Sequence, residues 1–413
     1  MTLAYRIWFT LGALVIYRLG VYVPIPGIDP AVWAEIFRTQ PGNIWQQYNF
    51  LSGGVIRFLG IFSLGIMPYV TAALLIQLLT LLSPAVKRLK QQGERGREIM
   101  ARYTLAVTLF LVAWQAYGIA VALEGAGSVV SEPGLLFRVS TVLTLTGGTI
   151  FLAWLSQQIT ARGIGNGIAV ILVAGIVSEL PRNIAGTLEL GRTGMLSPGT
   201  LLALMLLVVV VTALVAAMER ARRRLPIWFA ERKVGTRVLP SRSADLALKL
   251  NPAGIIPAIL ASWIVSIVVV AVNLAAWLAG KDGGSIDGPT FGLGLGTPLH
   301  LLVSAGIILF VAFVYTAFVS NPDDMAEKLD QQGGALPGIA SGEATAAHLD
   351  HVISRTTAIG AAYLALLMLL PDILVSYSEV AFHFPSVSLL VLVCATLDIE
   401  AQVRAGRRLA PHG

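Results

Sequence analysis

Apolar stretches long enough to cross a lipid bilayer recur along the whole chain, and no other feature constrains its fold as tightly. Crossing the hydrocarbon layer takes about 20 predominantly apolar residues in a helix. No water is present in that layer to satisfy backbone N–H and C=O groups, so such stretches are helical. Ten are expected, near 3–23, 65–83, 104–123, 139–158, 168–184, 199–218, 253–273, 299–319, 355–371 and 385–400. With 56% hydrophobic residues, 13% charged residues and a mean hydropathy of +0.77, the chain lies outside the range of water-soluble domains. The sequence predicts an all-α membrane protein.

The net charge of +6 follows the same segmentation. With the N-terminus in the cytoplasm, the connections 84–103, 159–167, 219–252 and 320–354, the tail, Arg6 and Arg355 hold 22 of the 29 Lys and Arg. The opposite side holds six, and Arg18 lies within the first span. Basic residues favour the cytoplasmic side, so both termini are expected there. The first run, Leu3 to Val23, has no small-residue cleavage site behind it and reads as a span rather than a removable signal peptide. Cys394 is the single cysteine, so no intrachain disulfide is possible.

Two of the cytoplasmic connections are far longer than joining helices requires. The segment 219–252 carries nine basic residues, among them Arg222, Arg223, Arg224, Arg232, Lys233 and Arg237. That density favours a docking surface for an acidic or RNA-bearing partner over a solvated loop that only orients the chain. The segment 320–354 is richer in Asp, Glu and Gly, and the two are expected to carry separable functions. Residues 50–62 are apolar but too short to span, and Gly53, Gly54, Gly60 and Arg57 interrupt them. A re-entrant or interfacial segment is the expectation.

Two helix starts match across the chain. Gly65-Ile66-Met67-Pro68 opens the second span and Gly254-Ile255-Ile256-Pro257 the seventh. Five spans separate them, so the two helices run in opposite directions, as in an inverted repeat of helices 1–5 and 6–10. Gly-x-x-Pro is also a common way to begin a membrane helix, so chance recurrence competes with that reading.

Chemistry-bearing patterns are sparse. An ion-coupled transporter needs ionisable groups near the bilayer midplane, whereas Arg18, Glu179, Asp398 and Glu400 lie toward span ends. No zinc-protease motif, nucleophile elbow or P-loop appears. His348, Asp350 and His351 lack a clear third strong ligand and read as a solvated helix start. Gly163-Ile-Gly-Asn-Gly167 follows a span rather than a strand, so it reads as a tight turn and not a dinucleotide loop.

Longer motifs carry a family resemblance. Ile61-Phe-Ser-Leu-Gly-Ile-Met-Pro-Tyr69 with Gln77-Leu-Leu resembles the plug and second helix of the SecY family, the channel subunits of bacterial protein translocons. Gln158-Ile-Thr-Ala-Arg-Gly-Ile-Gly-Asn-Gly167 is similar to that family's turn between helices 4 and 5. Leu248-Lys-Leu-Asn-Pro-Ala-Gly-Ile-Ile-Pro257 resembles its start of helix 7, and Pro337-Gly-Ile339 with Gly342-Glu343 its last long loop. The likeness runs in order from about Arg6 to about Val403.

The resemblance implies a passive protein-conducting channel, with no catalytic residues, metal or cofactor. Two halves, 1–184 and 185–403, would form a clamshell around a central pore, and 404–413 a short cytoplasmic tail. The family's constriction ring maps onto Ile66, Val70, Ile168, Leu172, Ile259 and Val391. All six are apolar, and a narrow apolar ring dewets and blocks ions. The plug would be 52–62, with Ser52, Gly53, Gly54, Val55, Ile56, Arg57, Phe58 and Leu59 at its heart. Pro68, Thr71, Gln77, Pro257 and Ser262 would line a lateral gate between the second and seventh helices. The implied partners are SecE, SecG, the SecA ATPase, the ribosome, preproteins with signal peptides and membrane lipids, at the bacterial inner membrane. Where the family carries a prominent arginine after Pro-Gly-Ile, this chain has Ala340, then Ser341 where proline is usual. Ala340 thus bears on motor docking, and a divergent accessory SecY with restricted substrates is the alternative; an inverted-repeat small-molecule transporter is the rival from another class.

Overall fold

The apolar stretches fold into helices whose starts are set by local capping. The computed structural model describes residues 2–39, 55–90, 92–125, 129–229, 232–234, 237–239, 242–252, 254–262, 264–265, 268, 272, 297–377 and 386–409. Its helices are α1 (Leu3–Val21), α2 (Pro30–Thr39), α3 (Met67–Leu82), α4 (Pro84–Lys90), α5 (Glu94–Gly125) and α6 (Leu135–Arg162). They continue with α7 (Gly167–Arg192), α8 (Pro198–Arg220), α9 (Pro298–Val319), α10 (Pro322–Gln331), α11 (Glu343–Tyr377) and α12 (Ser386–Leu409). Four of them begin the same way, Asp29 before Pro30 among them, where it accepts the Ala31 N–H at 2.9 Å. Ser197, Thr297 and Asn321 each precede a proline and accept a backbone N–H from Thr200, His300 and Asp323 at 3.1, 3.3 and 3.1 Å. The side chain satisfies an orphan donor of the first turn, and the proline sits where its missing N–H is not needed.

Among the described residues, six helical runs are long and apolar enough to cross a membrane, and α3 is a shorter apolar helix. Several helices overrun the stretches that hydropathy marks out. α5 begins at Glu94, α7 continues through Pro181 to Arg192, and α11 runs from Glu343 through Pro371 to Tyr377. Hydropathy locates only the lipid-facing part, while polar turns continue the same backbone ladder into water. The seventh span is described in part, with 256–262 helical; much of 263–273 lies outside the described residues. Gly65 and Gly254, the two matched helix starts, adopt the same left-handed conformation with φ of 59° and 64°. Gly165, in the glycine turn between α6 and α7, has φ of 83°, a conformation open to glycine at little cost.

The chain divides into two compact units, Met1–Glu189 with Ala395–Gly413, and Leu190–Cys394. In the first, one apolar cluster gathers Trp33, Ile56, Leu59, Leu123, Phe137 and Leu145, and another Tyr17, Val55, Phe62, Ile66, Leu152 and Ile171. The tail of α12 joins this unit, where Gln402 Oε1 accepts the Gly165 N–H at 2.9 Å.

In the second unit the connections 219–252 and 320–354 are not independent loops. Strands β1 (Arg222–Phe229) and β4 (Arg242–Lys249) pair antiparallel, with β2 (Arg232–Val234) and β3 (Arg237–Leu239) as a smaller hairpin between them. Strand β5 (Gly334–Ala335), from the other connection, pairs with β1 at Phe229 and Trp228, giving the order β4-β1-β5. Leu225 and Ile227 point inward and pack with Leu329 of α10, Leu336, and Leu349 and Val352 of α11. Alternation at period two puts Arg224, Pro226 and Trp228 on the outer face, with Trp228 62% exposed. Gly334 permits the close approach, since a Cβ there would lie 2.7 Å from Leu329 and 2.9 Å from Phe229. One sheet and one apolar core therefore join the two connections structurally.

Candidate functional site

A strap positions the short segment expected to be the plug. The Pro24-Ile-Pro26-Gly27 sequence disfavours helix, and between α1 and α2 the chain forms bridges at Pro24 and Ile28 with a turn at Pro26-Gly27 between them. On one edge Ile25 N–H donates to the Leu59 carbonyl at 3.0 Å, and Ile61 N–H to the Val23 carbonyl at 2.9 Å. On the other, Asp29 N–H donates to Val129 and Ser131 N–H to Gly27, at 2.9 and 3.0 Å. Between these bonds a single 3-10 turn, Ile56–Phe58, carries the apolar residues inward. Leu59 follows with φ of 40°, the one positive φ outside glycine among the described residues. A buried leucine accepts this strained conformation because the strap bonds and its packing against Trp33 fix it there.

Three glycines let the backbone approach closely. A Cβ at Gly60 would lie 2.1 Å from the Val21 carbonyl oxygen, one at Gly148 2.0 Å from that of Ile61, and one at Gly20 2.0 Å from the Phe62 ring. Phe62 fills the space so defined, stacked between Tyr17 and Phe151 with ring centroids 6.2 and 5.8 Å away. Trp33 of α2 is 1% exposed, and its indole N–H donates to the Ile56 carbonyl at 3.3 Å.

Of the residues expected to form the seal, the structure brings four together. Ile66 lies buried in one cluster with Val55 and Phe62, and Val70, Ile168, Leu172 and Phe58 pack against that cluster. Ile259 and Val391 lie in the second unit, each buried. Among the expected plug residues, Ser52, Gly53 and Gly54 lie outside the described residues. Val55, Ile56 and Leu59 are buried, Arg57 lies 5.2 Å from the Phe58 ring, and Phe58 contacts Tyr22 at 4.8 Å. Of the expected gate residues, Pro68 and Pro257 are buried at the starts of their helices. Thr71 and Ser262 turn their hydroxyls back on the Met67 and Ile259 carbonyls, at 3.0 and 2.8 Å, and Gln77 is half-buried. Those back-bonds satisfy the hydroxyls inside an apolar helix.

The expected docking residues Arg222, Arg223 and Arg224 are exposed in β1, and Arg224 approaches Asp245 only at 4.0 Å. Arg232 and Lys233 lie in β2 and Arg237 in β3, paired in register with Leu239, Val238 and Val234. Ala340 is exposed in the turn before α11, where its carbonyl accepts the Thr345 hydroxyl at 2.9 Å.

Sequence reasoning misses Trp33, the strap and Gly148. The Pro-x-Pro-Gly run signals extended chain, but nothing local says what that chain pairs with. It also misses His300, buried at the start of α9, whose Nε2 lies 3.4 Å from both Asp372 and Ser304. Both neighbours face the same ring nitrogen, so this is a polar tie between helices and not a nucleophile relay.

A model of the SecY family matches residues 60–399. The protein translocase subunit SecY of Escherichia coli (strain K12) is 42% identical over 403 residues, covering 97% of this chain and 90% of the relative. A solved structure described as a protein-conducting channel aligns with a TM-score of 0.67 at 18% identity, covering 100% of this chain and 95% of that one. A SecY structure concerned with how the plug domain stabilises the closed channel aligns at 0.63 and 17% identity, with the same coverage. Sec61 in a canine ribosome–channel complex aligns at 0.61 and 17% identity, again over 100% and 95%.

Proposed function

The chain belongs to the SecY family, and from that premise we propose that it is the channel-forming subunit of a protein translocase. It conducts unfolded preproteins across the membrane and releases transmembrane segments sideways into lipid. The fold is that of the protein-conducting channels, built on several membrane-crossing helices. The observation that carries the reading is the packing of Ile66, Val70, Ile168 and Leu172 with Val55 and Phe58. An apolar seal closed by a short, strap-mounted segment needs no titratable group and no cofactor, because its work is to exclude water and ions until a chain arrives.

In this reading Ile259 and Val391 complete the ring from the second half, and Pro68, Thr71, Gln77, Pro257 and Ser262 border the gate. Both termini lie in the cytoplasm, and the membrane is the bacterial inner membrane. The exposed Arg222, Arg223 and Arg224 support a docking surface for the ribosome, in keeping with the ribosome-bound Sec61 relative. SecE and SecG would accompany the channel, and SecA would supply energy that the chain itself does not.

The test is reconstitution of the full chain with its partner subunits and a signal-bearing preprotein carrying a photocrosslinker. Crosslinks to Ile66, Ile168 and Ile259 are expected while the preprotein is in transit. A saturable flux of a small solute, with no such crosslinks, would replace this reading with a transporter of inverted-repeat design.

A further inference from the structure

A carboxylate and a carboxamide are buried together at the neck of the β1–β4 hairpin. Glu219, in the last turn of α8, is 9% exposed, and Asn251, just beyond β4, is 2% exposed. Asn251 Nδ2 donates to Glu219 Oε1 at 2.8 Å and to the Gly254 carbonyl at 3.1 Å, while its Oδ1 accepts the Gly254 N–H at 3.2 Å. One side chain thus binds the end of one helix and the turn that starts the next. Below it Leu250 N–H donates to the Ala221 carbonyl at 3.1 Å and closes the neck. Any pull on the strands reaches Asn251, two residues beyond β4, and through it the stretch 256–262.

Helix α11 presses against the same place. Gly360 leaves no room for a side chain, since a Cβ there would lie 2.9 Å from the Leu250 carbonyl oxygen and 3.5 Å from Asn251 Oδ1. Tyr363 stands three residues on, on the same helix face. It is buried, and its hydroxyl has no hydrogen-bond partner among the described residues. Gly360 packs against Asn251, and Asn251 holds Glu219, so the face of α11 that carries Tyr363 lies against this buried pair. A buried hydroxyl left without a partner is unfavourable and calls for a reason.

We propose that Glu219 is a shared acceptor linking the hairpin to the seventh span: Asn251 holds it in the idle channel, and the Tyr363 hydroxyl replaces Asn251 when the hairpin is loaded. The proposal rests on the channel reading above. An exchange of donors keeps the buried carboxylate hydrogen-bonded throughout, which avoids the large penalty of stranding a charge. It also gives Tyr363 the partner that the idle arrangement denies it. Glu219, Asn251 and Tyr363 are positioning residues and touch no substrate.

The experiment compares the full chain, reconstituted with its partner subunits, with Tyr363→Phe and Asn251→Ala. Ion conductance of the idle channel and the rate of preprotein translocation are both measured. A merely structural tyrosine predicts that removing its unpartnered hydroxyl changes neither. The shared-acceptor role predicts idle conductance unchanged in Tyr363→Phe and translocation slowed about tenfold, the worth of one hydrogen bond to a charged group. Asn251→Ala should do the reverse and raise idle conductance, because the idle donor is gone. Should Asn251→Ala fail to accumulate, Tyr363→Phe decides alone, since it removes one oxygen and fills the same space. Wild-type translocation by Tyr363→Phe overturns the proposal, whereas a wild-type chain that moves no preprotein strikes at the channel reading instead.

Discussion

Gly148 sits where a single methyl group would collide with the backbone of the 60–62 segment. A Cβ there would lie 2.0 Å from the Ile61 carbonyl oxygen, and backbone cannot yield as the end of a flexible side chain can. Gly148→Ala should displace the 60–62 segment at an overpacking cost of about 3 kcal/mol or more. The measurable result is a lowered unfolding temperature in detergent and a raised ion leak in the idle channel. Gly147→Ala, one residue away with nothing within 4 Å, should leave both near wild type. Equal behaviour of the two variants would show that Ile61 does not pack against this helix. Gly65 and Gly254 are legible in the sequence as helix starts because Gly-x-x-Pro is a local signal, while their shared positive φ appears only in the structure. Gly148 is not legible, because its constraint comes from a carbonyl far along the chain. Trp33 is hidden for the same reason: its burial depends on the strap that brings Ile56 to it.

At the scale of elements, the long apolar helices are legible because hydropathy is a local quantity, and the sheet is not because strand pairing is not. The charge of Arg222 to Arg224 masks the alternation that follows them, with Leu225 and Ile227 inward against Pro226 and Trp228 outward. Strand β5 is two residues long, and only its partner makes it a strand. One core beneath that sheet means that charge and packing can be perturbed separately. Arg222, Arg223 and Arg224 changed together to Glu should lower ribosome affinity and flatten its salt dependence, since each neutralised phosphate releases counterions. Far-UV circular dichroism and protease resistance should stay as in the wild type, because all three side chains are exposed. Leu349→Ala leaves every charge in place but empties the centre of the apolar core, a loss of about 2–5 kcal/mol. It should speed proteolysis within 219–252 and weaken ribosome binding without changing the salt slope. A Leu349→Ala variant whose hairpin resists protease as before would mean that the sheet does not depend on α11.

For the whole molecule, the proposed reading leaves the driving energy to an external motor, and Ala340, with Ser341 beside it, is where this chain departs from the loop pattern expected of the family. The residue is exposed in a turn flanked by Gly338 and Gly342 with φ of 76° and 90°, so an arginine there extends into water without displacing the core. Its backbone bond to Thr345 involves only the carbonyl and survives any side chain. Ala340→Arg should therefore leave stability unchanged within about 0.5 kcal/mol, as exposed substitutions do. Against an acidic motor surface one guanidinium can add a charge-assisted hydrogen bond, enough to raise SecA-driven translocation up to about tenfold. Ribosome binding should barely respond, because one charge adds little to the nine basic residues already in 219–252. The two assays are run on the same reconstituted preparation, so that any change in the amount of channel cancels. A rise in both together would point to an unspecific electrostatic gain. No rise in motor-driven transport would mean that this channel meets its motor through other residues of the shared sheet, or is loaded by the ribosome alone.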